Sequence, residues 1–196
     1  MPRPRQFDEE RVLSSVQAAF WDNGYAGTSL EDLLAASGLG KGSLYGAFGD
    51  KKSLFLRVLR DYDEANDRML RARLEQADRA VEVIRGFVLG PSDDPDGVQA
   101  RRGCLLANTA AELSTSVPEA AAEARRSYGA TTALLADAIR LAQREGDVAA
   151  HVDPDVGAHA VLAGQLGLLV LGRIGQDPTA LSTTAEALLR GLLPPP

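Results

Sequence analysis

Residues 28–48, TSLEDLLAASGLGKGSLYGAF, decide how the chain reads. Thr28 followed three residues later by Glu31 is a capping-box pattern, in which hydroxyl and carboxylate satisfy the orphan amides of a helix start, and it predicts a short helix over 29–37. Gly38 supplies a residue that turns at positive φ without steric cost. A second short helix is expected over 41–48, its inner face made by Leu44, Ala47 and Phe48 at helical spacing and set against Leu30, Leu33 and Leu34. Leu39 points back between them. Helices joined by so short a turn share one small core, which leaves Lys41, Gly42, Ser43, Tyr45 and Gly46 on the outer face of the second. Such a helix fits the major groove of duplex DNA, where its side chains and closely approaching backbone reach base edges and phosphates. Plain all-α packing produces the same two-helix pattern, so the flanks decide.

Upstream, Asp8 is placed to cap a first helix, with Phe7 set against Val12 as a hydrophobic staple. The inner stripe of this helix is Val12, Leu13, Val16, Ala19 and Phe20, and Gly24 ends it. Tyr25 is expected to wedge under the domain. Trp21, the single tryptophan, falls beside the stripe, at the core edge or against the next domain; the core edge is the expectation. Downstream, Asp50 caps a long helix whose Leu54, Phe55, Val58, Leu59 and Tyr62 recur at helical spacing, and which should run past Met69. Lys51 and Lys52 occupy its first turn, where cations oppose the helix dipole at roughly 0.3–1 kcal/mol each. They are solvated surface lysines, or they await a phosphate, which would reverse that sign. Residues 1–6, MPRPRQ, are a frayed tail or a basic arm that reaches a DNA groove.

In order and spacing, Phe20, Gly24, Tyr25, Thr28, Ser29, Gly38, the run KGSLY at 41–45, Phe48, Lys51 and Leu54 resemble the N-terminal domain of the TetR-type bacterial transcriptional regulators over about residues 7–60. Gly103, Cys104, Leu105 and Leu106, with Asn108 and Thr109, resemble a segment of some members. The resemblance implies an all-α protein: a three-helix domain with a helix-turn-helix over 1–60, then a larger helical ligand-binding and dimerisation domain over 61–196. It implies a homodimer that binds a palindromic double-stranded operator, represses, and is released by a small-molecule effector. Thr28, Tyr45 and Lys51 match phosphate-contacting positions, and the DNA-facing set is taken as Thr28, Ser29, Lys41, Gly42, Ser43, Tyr45, Gly46, Lys51 and Lys52. Three positions depart from the pattern. Leu34 stands where a small residue is usual, Gly40 where a hydroxyl cap is usual, and Gly46 where a larger side chain often touches DNA.

The implied ligand cavity would draw on polar residues scattered over apolar helices, and Cys104, Asn108, Tyr128, His159 and Gln165 are the candidates. With few charges there, a mainly apolar or aromatic ligand is expected. Further helices are predicted over about 80–89, 102–114, from Pro118 to about 144, from Pro154, and from Pro178, with the turn-rich loop GPSDDPDG at 90–97 between the first two. The last two helices are apolar on more than one stripe, and the resemblance makes them a four-helix dimer interface, with Leu162, Leu166, Leu169, Ile174, Leu181 and Leu188 as its residues.

Composition agrees with this reading. A chain of 196 residues with 45% hydrophobic content buries a core easily. The formal net charge of −6 is distributed unevenly: residues 1–60 carry 8 Lys/Arg against 7 Asp/Glu, and residues 61–196 carry 13 against 20. The acidity therefore lies away from the phosphate-reading end. One cysteine excludes an internal disulfide and a multi-cysteine metal site. No secretory signal is evident, and the longest apolar run, 161–174, is interrupted by Gln165 and Arg173, so a cytoplasmic protein without membrane association is expected. His151 and His159, the only histidines, have no metal-site or catalytic partners in the sequence and read as structural or surface residues. No cofactor, metal or enzymatic activity is expected. The alternative is a helical small-molecule-binding or enzymatic dimer that no longer binds DNA, suggested by Gly46 and the acidic charge.

Overall fold

A computed structural model describes residues 7–90 and 98–194. The arm at 1–6 and most of the loop at 90–97 thus lie outside the described residues. Ten helices and no strand occur among those described: α1 Glu9–Gly27, α2 Leu30–Ser37, α3 Lys41–Phe48, α4 Lys51–Gln76, α5 Ala80–Leu89, α6 Val98–Arg102, α7 Leu105–Leu113, α8 Pro118–Glu145, α9 Pro154–Arg173 and α10 Pro178–Leu192.

Capping sets most of these boundaries. The Asp8 carboxylate accepts the Arg11 amide at the start of α1, and the Asp50 carboxylate accepts the Ser53 amide, 2.8 Å away, at the start of α4. Pro118, Pro154 and Pro178 each occupy the first turn of their helix, where a missing N–H costs nothing. Gly38, at φ 67°, closes α2 with its N–H on the Leu34 carbonyl.

Two local expectations shift. The capping box belongs to Ser29 and Asp32, not to Thr28 and Glu31: the Ser29 hydroxyl accepts the Asp32 amide and the Asp32 carboxylate accepts the Ser29 amide. Both pairs fit the spacing, but the Thr28 hydroxyl is already used, donating to the Gly24 carbonyl at 2.6 Å. The helix expected over 102–114 is broken at Gly103, whose φ of 68° separates α6 from α7 and makes Cys104 the residue before the first turn.

The first four helices enclose one buried cluster, with Val16, Phe20, Leu33, Leu44, Leu54 and Phe55 at its centre. Phe20 and Phe55 meet edge to face at a centroid distance of 4.9 Å, and Tyr25 closes the cluster from below. This core does not stop at residue 60. Leu105, Leu106 and Leu113 of α7 and Ala120 and Ala124 of α8 belong to it, and α4 runs through both halves. A second cluster joins α5, α8, α9 and α10 around Ile84, Leu135, Ile139, Val161 and Leu181. Helix α9 is long and apolar enough to cross a membrane by composition, but here it packs between α8 and α10.

Candidate nucleic-acid interface and ligand cavity

Helix α3 is held by one inward residue, the fully buried Leu44, with Phe48 and Tyr45 packed beside it. Lys41, Gly42, Ser43 and Gly46 are all exposed. A methyl group built on Gly40, Gly42 or Gly46 meets nothing of the chain within 4 Å. Internal packing therefore does not require these glycines; they leave the backbone open to something outside. No side chain caps the start of α3, so its first amides stay available to an anion.

The other expected DNA-facing residues divide. Ser29 is exposed, its hydroxyl engaged in the cap. Lys51 lies with its Nζ 4.5 Å from the centre of the Tyr25 ring, and Tyr25 is pushed above the ordinary phenol range by burial and then by the Asp50 carboxylate. Lys52 is paired with Glu119 of α8 at 2.9 Å, which raises the lysine and lowers the carboxyl. It ties the first helices to the body instead of standing free for phosphate. Thr28 is fully buried. Its role is structural, because its hydroxyl closes the turn after α1 and no atom of it reaches the surface.

Behind the first helices lies a cavity of about 290 Å³. Helix α4 contributes Tyr62, Asn66, Met69 and Arg73, and α8 contributes Ser127, Tyr128 and Thr131. Helix α9 adds Leu162, Gln165, Leu166 and Leu169, and Phe87 of α5 completes the apolar wall. Cys104 enters from the start of α7, its sulfur accepting from the Tyr62 hydroxyl at 4.0 Å. The Tyr128 hydroxyl is buried without a hydrogen-bond partner among the described residues. Burial, and then the neighbouring Cys104 sulfur, hold both phenols neutral well above their ordinary range. The cavity is thus largely apolar, with hydroxyl and amide groups and the Arg73 guanidinium to orient a guest.

Of the five expected ligand residues, Cys104, Tyr128 and Gln165 line the cavity. Asn108 does not; its Nδ2 donates to the Arg102 carbonyl at 2.9 Å and holds the α6–α7 turn. His159 is exposed on α9, its Nδ1 against the Asp155 carbonyl. Tyr62, Asn66, Met69 and Arg73 were the missed signal, a stripe at helical spacing on α4 that continues the core stripe but turns polar. Trp21 sits at the core edge as expected, half-buried against the first cluster, and it also lines the cavity from α1 and donates its Nε1–H to the Arg102 carbonyl at 3.1 Å.

The apolar residues expected at a partner's surface are mostly used within the subunit. Leu162 and Leu181 are buried in the second cluster, Leu166 and Leu169 face the cavity, and Leu188 fills the space over Gly164. Ile174 alone of the six is exposed, at 74%. The bare stripe is one helical step round, with Val156, Val170 and Leu171 beside Ile174. Ala163 and Gly167 lie between them and are exposed too.

Besides the Trp21–Arg102 hydrogen bond, four ties join the first helices to the body. Glu112 of α7 accepts the Tyr25 and Ala26 amides at 3.0 and 2.7 Å. Arg102 grips the Asp22 carboxylate with two nitrogens, at 2.8 and 3.0 Å. Lys52 pairs with Glu119. Finally, Arg60 and Arg126 bracket Glu123, and Arg126 also reaches the buried Asp63 at 3.0 Å. Burial works against charge on Glu123, but the two guanidiniums still hold it below the ordinary carboxyl range. No cluster of His, Cys, Asp or Glu able to hold a metal ion occurs among the described residues.

A short helix on a glycine turn, its polar face bare and its inner face seated on a helical body with a small-molecule-sized cavity, defines a helix-turn-helix regulator. Family comparison agrees at both ends. Residues 17–58 match the family described as bacterial regulatory proteins, tetR family, and residues 92–188 match a tetracyclin repressor-like C-terminal domain. A solved structure of the TetR family transcriptional regulator CifR, a cysteine mutant complexed with a 26-base-pair operator DNA, is 30% identical with a TM-score of 0.77, covering 96% of this chain and 98% of that one. The repressor ComR of Escherichia coli is 25% identical over 96% of this chain and 90% of its own length. The uncharacterised regulator YezE of Bacillus subtilis is 35% identical over 62% of each chain. The chain belongs to the TetR family of bacterial transcriptional regulators.

Proposed function

We infer that this protein is a cytoplasmic repressor that binds a palindromic operator as a homodimer, one α3 per half-site, and is released by a small, mainly apolar effector. The observation that carries the reading is the bare face of α3, where Lys41, Gly42, Ser43 and Gly46 are exposed and the glycine positions open outward. Residues 1–60 act as the DNA-binding unit and 61–196 as the sensing and dimerising unit, with α4 common to both. Lys51 and the open start of α3 take phosphates, and Tyr45 and Ser43 flank the base edges. The exposed stripe of α9, from Val156 to Ile174, supplies the dimer contact with α10. The chain is not an enzyme in this reading.

Coupling is a difference in operator affinity between two dimer shapes. A hundredfold loss on effector binding needs about 2.7 kcal/mol. Selection of bound sequences from a random duplex pool, followed by footprinting, tests the proposal. The expected product is an inverted repeat whose half-site centres lie about 34 Å apart, near one DNA turn. A pool that never enriches, with a folded dimer in hand, moves the function to small-molecule binding without DNA.

A further inference from the structure

The carbonyl oxygen of Arg102 is the meeting point of three helices. It accepts the Trp21 Nε1–H of α1 at 3.1 Å, the Asn108 Nδ2–H of α7 at 2.9 Å and the Arg173 Nη1–H of α9 at 3.0 Å. A carbonyl offers two lone pairs. Three donors over-subscribe it, and the longest of the three bonds is the indole's. That indole is also a wall of the cavity, beside Gly103 and Cys104.

The same residue grips α1 a second time. The Arg102 guanidinium holds Asp22 with two nitrogens and stands 5.8 Å from the Trp21 ring centre. Trp21 and Asp22 therefore fasten α1 to the α6–α7 turn at a single residue, and α1 packs in turn on α2 and α4. An acceptor atom entering the cavity beside Trp21 competes for a bond that the carbonyl can give up while keeping its two shorter partners. The exchange replaces one N–H···O bond with another, so it is nearly free at the cavity and removes one of the two ties between α1 and Arg102, leaving the Asp22 pair and the Glu112 bonds to Tyr25 and Ala26 in place.

We propose that Trp21 is an effector-contacting residue, and that the effector is an aromatic or apolar molecule bearing an oxygen acceptor that takes the indole N–H from the Arg102 carbonyl and loosens α1. This rests on the effector-responsive reading above and names its ligand class and its first moving part. At about 290 Å³ the cavity lies at the small end of ligand pockets, which suits a one- or two-ring guest. Release of α1 then reaches α3 through α2 and the start of α4.

The test uses the full-length dimer and a matched pair of probes, 2-acetylnaphthalene and 2-ethylnaphthalene, which differ by the carbonyl oxygen. Trp21 is the single tryptophan, so one indole N–H resonance in the nitrogen-labelled protein reads the bond directly. The acetyl probe should move that resonance and speed amide hydrogen exchange over residues 19–27 at least about threefold; the ethyl probe should shift cavity resonances and do neither. Trp21→Phe should show faster exchange over 19–27 without any probe, and no further rise when the acetyl probe binds. The proposal is overturned if the acetyl probe shifts cavity resonances but not the indole, if both probes act alike on α1, if the probe-induced rise survives in Trp21→Phe, or if neither probe enters the cavity. Should the variant not fold, the two probes on the natural protein still decide. No readout involves DNA, so failure here is distinct from failure to bind an operator.

Discussion

Replacing Gly24 by alanine should loosen the whole N-terminal unit. Gly24 sits at φ 74°, ψ 173°, a region essentially restricted to glycine, and a side chain there costs about 1–3 kcal/mol. A methyl group at that position would lie 2.8 Å from Glu112 Oε2. The carboxylate is the free end of a flexible side chain and can swing away. In doing so it gives up its bonds to the Tyr25 and Ala26 amides, worth about 1–2 kcal/mol together at an exposed site. The expected loss is about 2–5 kcal/mol, or roughly 4–20 °C in Tm for a chain of this size. Thermal unfolding followed by circular dichroism, at one fixed protein concentration because the dimer makes Tm concentration-dependent, measures it. Glu112→Ala alone should cost about 1–2 kcal/mol, and the double variant should fall short of the sum by about 1 kcal/mol, since the alanine at 24 has already displaced the carboxylate. A Gly24→Ala protein within about 0.5 kcal/mol of the natural one, or strict additivity, refutes the reasoning.

Thr28→Val removes the hydroxyl that donates to the Gly24 carbonyl and should cost about 1–2 kcal/mol in urea unfolding, with operator affinity per folded dimer unchanged; a tenfold affinity loss would return Thr28 to the DNA contacts. Val170→Asp and Ile174→Asp place charge on the bare α9 stripe and should give monomers in sedimentation velocity, whereas dimers at the same concentration would move the interface elsewhere. Asp32 and Asp50 are held below the ordinary carboxyl range, Asp32 by the Ser29 hydroxyl and amide and Asp50 by the Ser53 amide and hydroxyl. Because their folded values are lowered, the two caps are fully in place above the unfolded value of 3.8 and weaken as pH falls through the folded values. Amide exchange at the starts of α2 and α4 should therefore rise, beyond the intrinsic chemical rate, only in acid, and Asp50→Asn should flatten that rise at α4; an unchanged profile contradicts the assignment.

The helix-turn-helix was legible because its signals are local. Gly38, Asp50 and the prolines at 118, 154 and 178 fix a turn and helix starts through their own local chemistry, and the helices began where these residues placed them. Thr28 misled because two overlapping hydroxyl-to-acid pairs satisfy one spacing, and only the tertiary position of the Gly24 carbonyl chooses between them. The cavity was half legible. Cys104, Tyr128 and Gln165 stand out as polar residues on apolar helices, but Asn108 has the same local pattern and is consumed by a neighbouring carbonyl. Tyr62 and Trp21 pack on the first cluster as their spacing implies, but their second role as cavity wall was hidden, because periodicity reports which face is buried, not whether that face meets atoms or a void. Which side of α9 faces inward within the subunit was hidden for the same reason. A helix apolar on two sides shows that a second partner is needed, while which side faces inward depends on α8 and α10.

Salt-dependent binding to duplex DNA from upstream of the coding region, with Tyr45→Ala and Lys51→Ala alongside, tests the central claim most directly. The account predicts saturable binding that competitor DNA does not erase, a marked loss with Tyr45→Ala, and a weaker Lys51→Ala whose log–log salt slope is shallower by about 0.9 per phosphate contact removed. Equal affinity for operator and competitor, or a salt slope indifferent to Lys51, would contradict it.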